Sequence, residues 1–175
     1  MTNSKRPINK PEDMAGLKMR LMENPVHMET FKVLGANPSP MPFGELFTAM
    51  QQKTMDGQEN PLLIIKTSKF YEVQKYLALT GHFYSPAVLM ISDKLFKSLT
   101  PEQQTALMDA AKEARTFERN FIIESEKKLV DELKAAKMEV TTPDKALFQK
   151  ATESVYKKFE ADIGKDLIDQ VRGVK

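Results

Sequence analysis

Between Glu102 and Thr142 the chain contains neither glycine nor proline, and no other feature constrains its fold as strongly. Thr100, Pro101 and Gln103 stand at the start of this stretch in helix N-terminal order: a capping hydroxyl, a proline at the first helical position, and a glutamine that completes a capping box. The spacing predicts one helix of about thirty-five residues, roughly 50 Å long at 1.5 Å per residue. Its apolar stripe runs through Leu107, Ala110, Ala114, Phe117, Phe121, Leu129 and Leu133. Heptads are not sustained and alanine is frequent, so the stripe reads as a surface packed on other elements and not as a coiled-coil seam. A helix of that length exceeds one lobe of an α/β domain.

Upstream the pattern changes to short alternating elements. Leu17, Met19 and Leu21 alternate with Lys18, Arg20 and Met22, which predicts a strand stopped at Asn24-Pro25 with Arg20 facing away from the leucines. Val26 to Leu34 reads as a helix closed by Gly35, and Gly44 to Lys53 as a helix with Leu46, Phe47, Ala49 and Met50 on one face. Asp56-Gly57 reads as a turn, followed by the apolar run Leu62 to Ile65. A short helix around Phe70 to Gln74 and two strands, Tyr76 to Thr80 and Ala87 to Ile91, complete this half. Such alternation predicts an α/β lobe with a parallel or mixed sheet. Leu147, Ala151, Val155, Phe159, Ile163, Leu167 and Val171, spaced by four, predict a closing helix that Gly164 bends.

Pro38, Pro40, Pro42 and Pro61 fall within Val33 to Leu63 and remove backbone donors there. The expectation is of stiff, extended segments, poorly suited to ladder pairing, that flank one amphipathic helix and cradle a ligand.

Composition excludes several functions. A formal charge of +2 offers no clustered basic face for nucleic acid, and the absence of cysteine removes disulfides and thiol catalysis. There is no nucleophile elbow, phosphate loop, dinucleotide fingerprint or zinc-protease motif. Glu23, Glu45 and Glu59 are not set apart from the many other carboxylates as an acid–base pair. The two histidines, His27 and His82, are distant in sequence and make a poor metal site. No cofactor, metal or enzymatic activity is therefore expected. Met1 to Gly16 is polar and lacks the apolar segment of a secretory signal, so the expectation is that the chain as written is not exported. No run approaches the ~20 apolar residues of a membrane span.

Four segments, GLKMRLMENP (16–25), FGELFTAMQQ (43–52), DGQENPL (56–62) and SKFYEVQKYLALTGHFYSP (68–86), together resemble the solute receptors of tripartite ATP-independent periplasmic (TRAP) transporters, the DctP family. The resemblance runs from about Ser4 to the C-terminus. It implies a periplasmic binding protein-like α/β fold of the type II kind, in which two lobes close on an organic acid that is then delivered to a membrane permease. The family is much longer than 175 residues, so the implied correspondence is to an incomplete two-lobe fold. On that reading 1–16 is a lead-in, 17–80 the ligand-binding lobe core, 81–99 a segment crossing to the other lobe, and 100–175 the bridging and closing helices. The resemblance places the parent receptor in the periplasm. It also implies that apolar surfaces lacking the other lobe favour self-association.

Arg20 offers a planar fork that matches a carboxylate, and Asn60, held extended before Pro61, can present its amide to the same group. The resemblance implies the carboxylate clamp for both, and substrate-specific contacts for Glu59 and His82. Phe43, between Pro42 and Gly44, is a candidate to pack on the ligand's carbon skeleton. Each residue has a plainer reading: an internal ion pair for Arg20, a turn for Asn60, core packing for Phe43, a structural carboxylate for Glu59, and a buried hydrogen-bonding histidine for His82. A helical interaction module with no small-molecule ligand is the alternative for the whole chain.

Overall fold

In the computed structural model, which describes residues 1–84 and 86–174, the prolines sit inside a ladder. Strand β2 (Lys18–Leu21) pairs in parallel with β3 (Asn37–Pro40), in the register Lys18 to Asn37 through Leu21 to Pro40. The expectation that this segment is unsuited to pairing is thus corrected. Asn37 N donates to Leu17 O at 2.8 Å and Met41 N to Leu21 O at 3.3 Å, so alternate residues bond to β2. Pro38 and Pro40 fall between them, and β3 is the edge strand, where a missing outward N–H leaves nothing unsatisfied.

The sheet has six strands in the order β3-β2-β4-β1-β5-β6, with β1 at Thr2–Asn3, β4 at Gly57–Gln58, β5 at Tyr76–Ala78 and β6 at Glu139–Thr141. Only β1 runs against its neighbours, so the carboxyl ends of all the other strands share one edge. Asp56-Gly57 is not a turn. Asp56 N donates to Lys18 O at 2.8 Å, Lys18 N donates to Asp56 Oδ2 at 3.0 Å, and Gly57 lies in β4 beside β1. The glycine is needed for close strand approach, not for a reversal of direction.

Helices α1 (Pro25–Val33), α2 (Phe43–Gln51) and α3 (Leu62–Thr67) connect the early strands. Phe70–Glu72 forms a 3-10 turn where a short helix is expected. One face of the sheet buries Leu17, Met19 and Leu21 with Phe31 of α1; the other buries Leu46, Met50, Ile65 and Phe70 with Leu77 and Leu133. Leu77 and its neighbour Ala78 enter opposite clusters, as the period of two requires. Each fully buried Leu or Phe contributes roughly 1.5–3 kcal/mol, so these two clusters dominate the stability of the sheet.

Asn24 caps α1 by accepting from Val26 N at 2.9 Å and His27 N at 3.1 Å. Asn24→Ala should lower unfolding free energy by about 1 kcal/mol, read as a shift of the urea midpoint at unchanged slope.

Helix α4 (Asp93–Ser98) leads into α5 (Pro101–Ala135), whose 35 residues and reciprocal Thr100–Gln103 capping box match the expected long helix. Its stripe is buried only at Leu129 and Leu133; Phe117 and Phe121 are 71% and 51% exposed. The expected strand Ala87 to Ile91 is not formed. No backbone hydrogen bond joins residues 86–91 to another described residue, because an apolar run becomes a strand only beside a partner strand. The single closing helix is instead three, α6 (Lys145–Ala151), α7 (Glu153–Ile163) and α8 (Lys165–Gly173), broken at Thr152 and Gly164. No helix among the described residues is long and apolar enough to cross a membrane.

Candidate functional site

Loops leaving the carboxyl ends of parallel strands converge on one edge of a sheet, and the chemistry of this chain is collected there. Arg20 lies one residue before the end of β2, opposite Gln58 of β4, and is only 4% exposed. Its Nε donates to Met41 O at 2.8 Å, which fixes the stem of the guanidinium against the loop after β3. The terminal nitrogens make no hydrogen bond to any described residue, and burial lowers the pKa below the ordinary arginine value while Glu59 opposes that shift. The fork is therefore anchored at its base and free at its ends. Phe43, 47% exposed, sits with its ring centroid 5.9 Å from the guanidinium carbon and 5.9 Å from the ring of Phe70.

Asn60 closes a buried polar chain. Its Nδ2 donates to Gln58 Oε1 at 2.6 Å, Gln58 Nε2 to Thr2 Oγ1 at 2.9 Å, and Thr2 Oγ1 to Gln74 Oε1 at 3.1 Å. Thr2 and Gln58 are fully buried, so each must be satisfied internally, and the chain locks the Asn60 side chain while leaving its second amide N–H unused.

Glu59 and His82, half-buried side chains, meet at 3.4 Å between Oε2 and Nε2. The contact lacks hydrogen-bond geometry, since the buried His82 Nε2 makes no hydrogen bond to a described residue, and it is ionic only when the imidazole is protonated. Gly81, with φ of +54°, turns the chain so that His82 Nδ1 lies 2.7 Å from Thr80 Oγ1. His27, which has no evident partner in the sequence, stacks on Phe83 at 3.9 Å between centroids, and Phe31 meets His82 edge-on at 5.5 Å. The Met1 α-amine donates to Ala78 O at 3.0 Å on the same edge.

Burial lowers the pKa of both imidazoles, against the opposing charge of Glu59. Burial would raise that of Glu59, but its contact with His82 and the charges of His27 and the α-amine hold it below the ordinary carboxylate range. The five residues singled out in the sequence thus lie on or beside one strand edge. Arg20 and Phe43 are in contact, Glu59 and His82 form a second pair, and Asn60 is tied to Gln58. Met41 O, Gln58, Thr80, His27 and Phe83 support them and carry no motif of their own; only the register of β2 and β4 brings Gln58 opposite Arg20.

Comparison with known proteins identifies the family. Residues 1–162 match the family described as bacterial extracellular solute-binding protein, family 7, or DctP. A solute-binding protein of Verminephrobacter eiseniae is 46% identical over 100% of this chain and 52% of its own length. The 2,3-diketo-L-gulonate-binding periplasmic protein YiaO of Escherichia coli is 41% identical over 100% of this chain and 55% of its own. Among solved structures, a TRAP periplasmic solute-binding protein from Polaromonas sp. JS666 bound to D-erythronate superposes with a TM-score of 0.95 at 44% identity, covering 99% of this chain and 58% of that one. The chain therefore spans about half the length of the curated relatives it matches. On the profile match, the identities and the fold together, it belongs to the DctP family of TRAP solute-binding proteins.

Proposed function

We propose that this chain supplies the carboxylate-holding part of a periplasmic receptor that binds an organic acid and passes it to a TRAP membrane permease. The observation that carries the reading is Arg20: its Nε is committed to Met41 O, and its two terminal nitrogens are left without a protein partner among the described residues. A carboxylate accepts two parallel N–H bonds from such a fork, and Asn60 can add a third from its unused amide hydrogen. Phe43 offers an apolar wall beside the acid's first carbons. Relatives that bind 2,3-diketo-L-gulonate and D-erythronate, both carboxylates, support the ligand class.

Arg20, Phe43 and Asn60 face the ligand from one side only, so water competes for each contact. Charge-assisted hydrogen bonds of roughly 1.5–3 kcal/mol when enclosed are weakened toward exposed-pair values. The expected affinity of this chain alone is millimolar, about −4 kcal/mol. Amide-resolved NMR titration with D-erythronate and with succinate should shift Arg20, Phe43 and Asn60 in that range. Arg20→Lys should weaken binding at least tenfold, about 1.4 kcal/mol, because an ammonium cannot present two coplanar donors. No response at these three positions to any carboxylate in a wide panel would reject the reading.

A further inference from the structure

At the carboxyl edge of the sheet, basic groups from four elements gather around the carboxylate of Glu59. Thr2 pairs with Gln58 in antiparallel register, so Met1 comes opposite Glu59, while Arg20, in register with Gln58, lies on the other side of β4. His82 Nε2 is 3.4 Å from Glu59 Oε2. His27 comes from the first turn of α1 and stacks on Phe83, whose ring packs against His82 at 4.7 Å between centroids. Lys145 of α6 crosses above Gly81, its Nζ 3.0 Å from where a Cβ would stand, and adds a further positive charge beside the His82 turn. Glu29 of α1 is already engaged, by Lys158 of α7 at 2.7 Å.

His27 Nδ1 and His82 Nε2 are buried without a hydrogen-bond partner among the described residues. For His82 the charged form has groups waiting on both sides. An imidazolium would donate through Nδ1 to Thr80 Oγ1, 2.7 Å away, and through Nε2 toward Glu59. What that form lacks is compensation for its burial, because Glu59 is one anion shared with Arg20, His27 and the α-amine.

Charge balance says what supplies the compensation. Near neutral pH Arg20 is positive and Glu59 negative, whereas burial disfavours the charged forms of both imidazoles and the α-amine, so the edge carries almost no net charge. A carboxylate on the Arg20 fork adds a second anion where water screens it poorly, and each nearby buried base then becomes easier to protonate.

We propose that acid binding at the Arg20 fork is coupled to proton uptake by His82, with His27 as the secondary acceptor, so that this edge takes its ligand as a carboxylate together with a proton. The inference rests on the acid-binding reading and adds its regulation. Affinity rises as pH falls, and by reciprocity a bound acid makes the imidazoles more basic. That sign is opposite to the effect of the same groups on folding stability, which acid lowers.

The chain has two histidines, so both imidazoles can be followed by their Cε1–H resonances in NMR titrations from about pH 5.5 to 8.5, without acid and with D-erythronate well above its Kd. The acid stays ionised over that range, since free carboxylates titrate near ~4. The expected result is a His82 midpoint raised by at least about half a unit, a smaller rise for His27, and a Kd at least about threefold lower at pH 6 than at pH 8. His82→Asn, which keeps an amide for Thr80 Oγ1 but cannot titrate, should lose most of this dependence; the titration of the parent chain decides the matter even if the variant does not fold. Amide shifts at Arg20, Phe43 and Asn60 with both imidazole midpoints unmoved would overturn the coupling and leave acid binding intact. A dependence that persists in full in His82→Asn would also overturn it, by assigning the proton to the α-amine. Absence of any response to carboxylates at every pH would overturn both readings.

Discussion

Gly57→Ala should destabilise the chain by about 3 kcal/mol or more, at the upper end of what overpacking does. A Cβ at this position would lie 2.2 Å from Thr2 O, 2.9 Å from Asn3 Cβ and 2.9 Å from Met19 Sδ. Thr2 and Asn3 form β1, hydrogen-bonded to β4 on one side and β5 on the other, so the carbonyl cannot swing away without opening two ladders. The methionine sulfur can yield; the backbone cannot. Gly44→Ala is the natural control, since a Cβ there meets nothing within 4 Å and replaces a helical glycine, a change that stabilises by up to about 1 kcal/mol. Urea unfolding of both variants decides the matter. A Gly57→Ala midpoint close to that of the parent chain would mean that β1 is not seated against β4 as the structure has it.

Acidification from pH 8.5 to pH 5 should remove several kcal/mol of stability. Burial lowers the Met1 α-amine from its ordinary value of 8.0 to about 6, with Glu59 opposing. The unfolded chain therefore binds this proton more tightly than the folded one. The contribution of the α-amine is full above pH 8, declines between pH 8 and 6, and then levels, a difference of about 3 kcal/mol at 1.36 kcal/mol per unit. His27 and His82 are lowered by burial below 6.5, so their contribution is also present above that pH and is lost as pH falls through their folded values. Glu59, lowered below 4.5, keeps its contribution throughout this range and loses it only at more acid pH. The three bases share one sign because burial disfavours the charged form of each more than Glu59 favours it, and Glu59 has the same sign because the surrounding bases hold its carboxylate ionised. Unfolding free energies measured in urea from pH 8.5 to 5 should fall steadily. A flat profile between pH 8 and 6 would place the α-amine in water.

Local signals were sufficient for α1, α2, α5 and β2, because each announces itself within one stretch: a cap, a stripe, an alternation. The Thr100–Gln103 capping box is legible at sight and forms as read. β1, β4 and β6 are too short, at 2, 2 and 3 residues, to carry a period, and they exist because neighbours supply their hydrogen bonds. The same physics reverses two readings. The proline segment becomes a strand because its missing donors fall on a free edge, and Ala87 to Ile91, with the stronger strand composition, does not because nothing lies beside it. Arg20, Phe43, Glu59, Asn60 and His82 could be named from residue type and family resemblance. Their pairing could not, since Glu59 meets His82 across 23 positions through a turn at Gly81.

What the sequence determined by itself is the family, the long helix, the α/β alternation and the identity of the candidate ligand-facing side chains, all of which rest on chemistry within a few residues of one another. The tertiary structure alone decided which strands exist, which edge gathers the charges, and which apolar surfaces go uncovered. These depend on contacts between distant residues, and a backbone group or an apolar side chain takes its state from whatever stands opposite it.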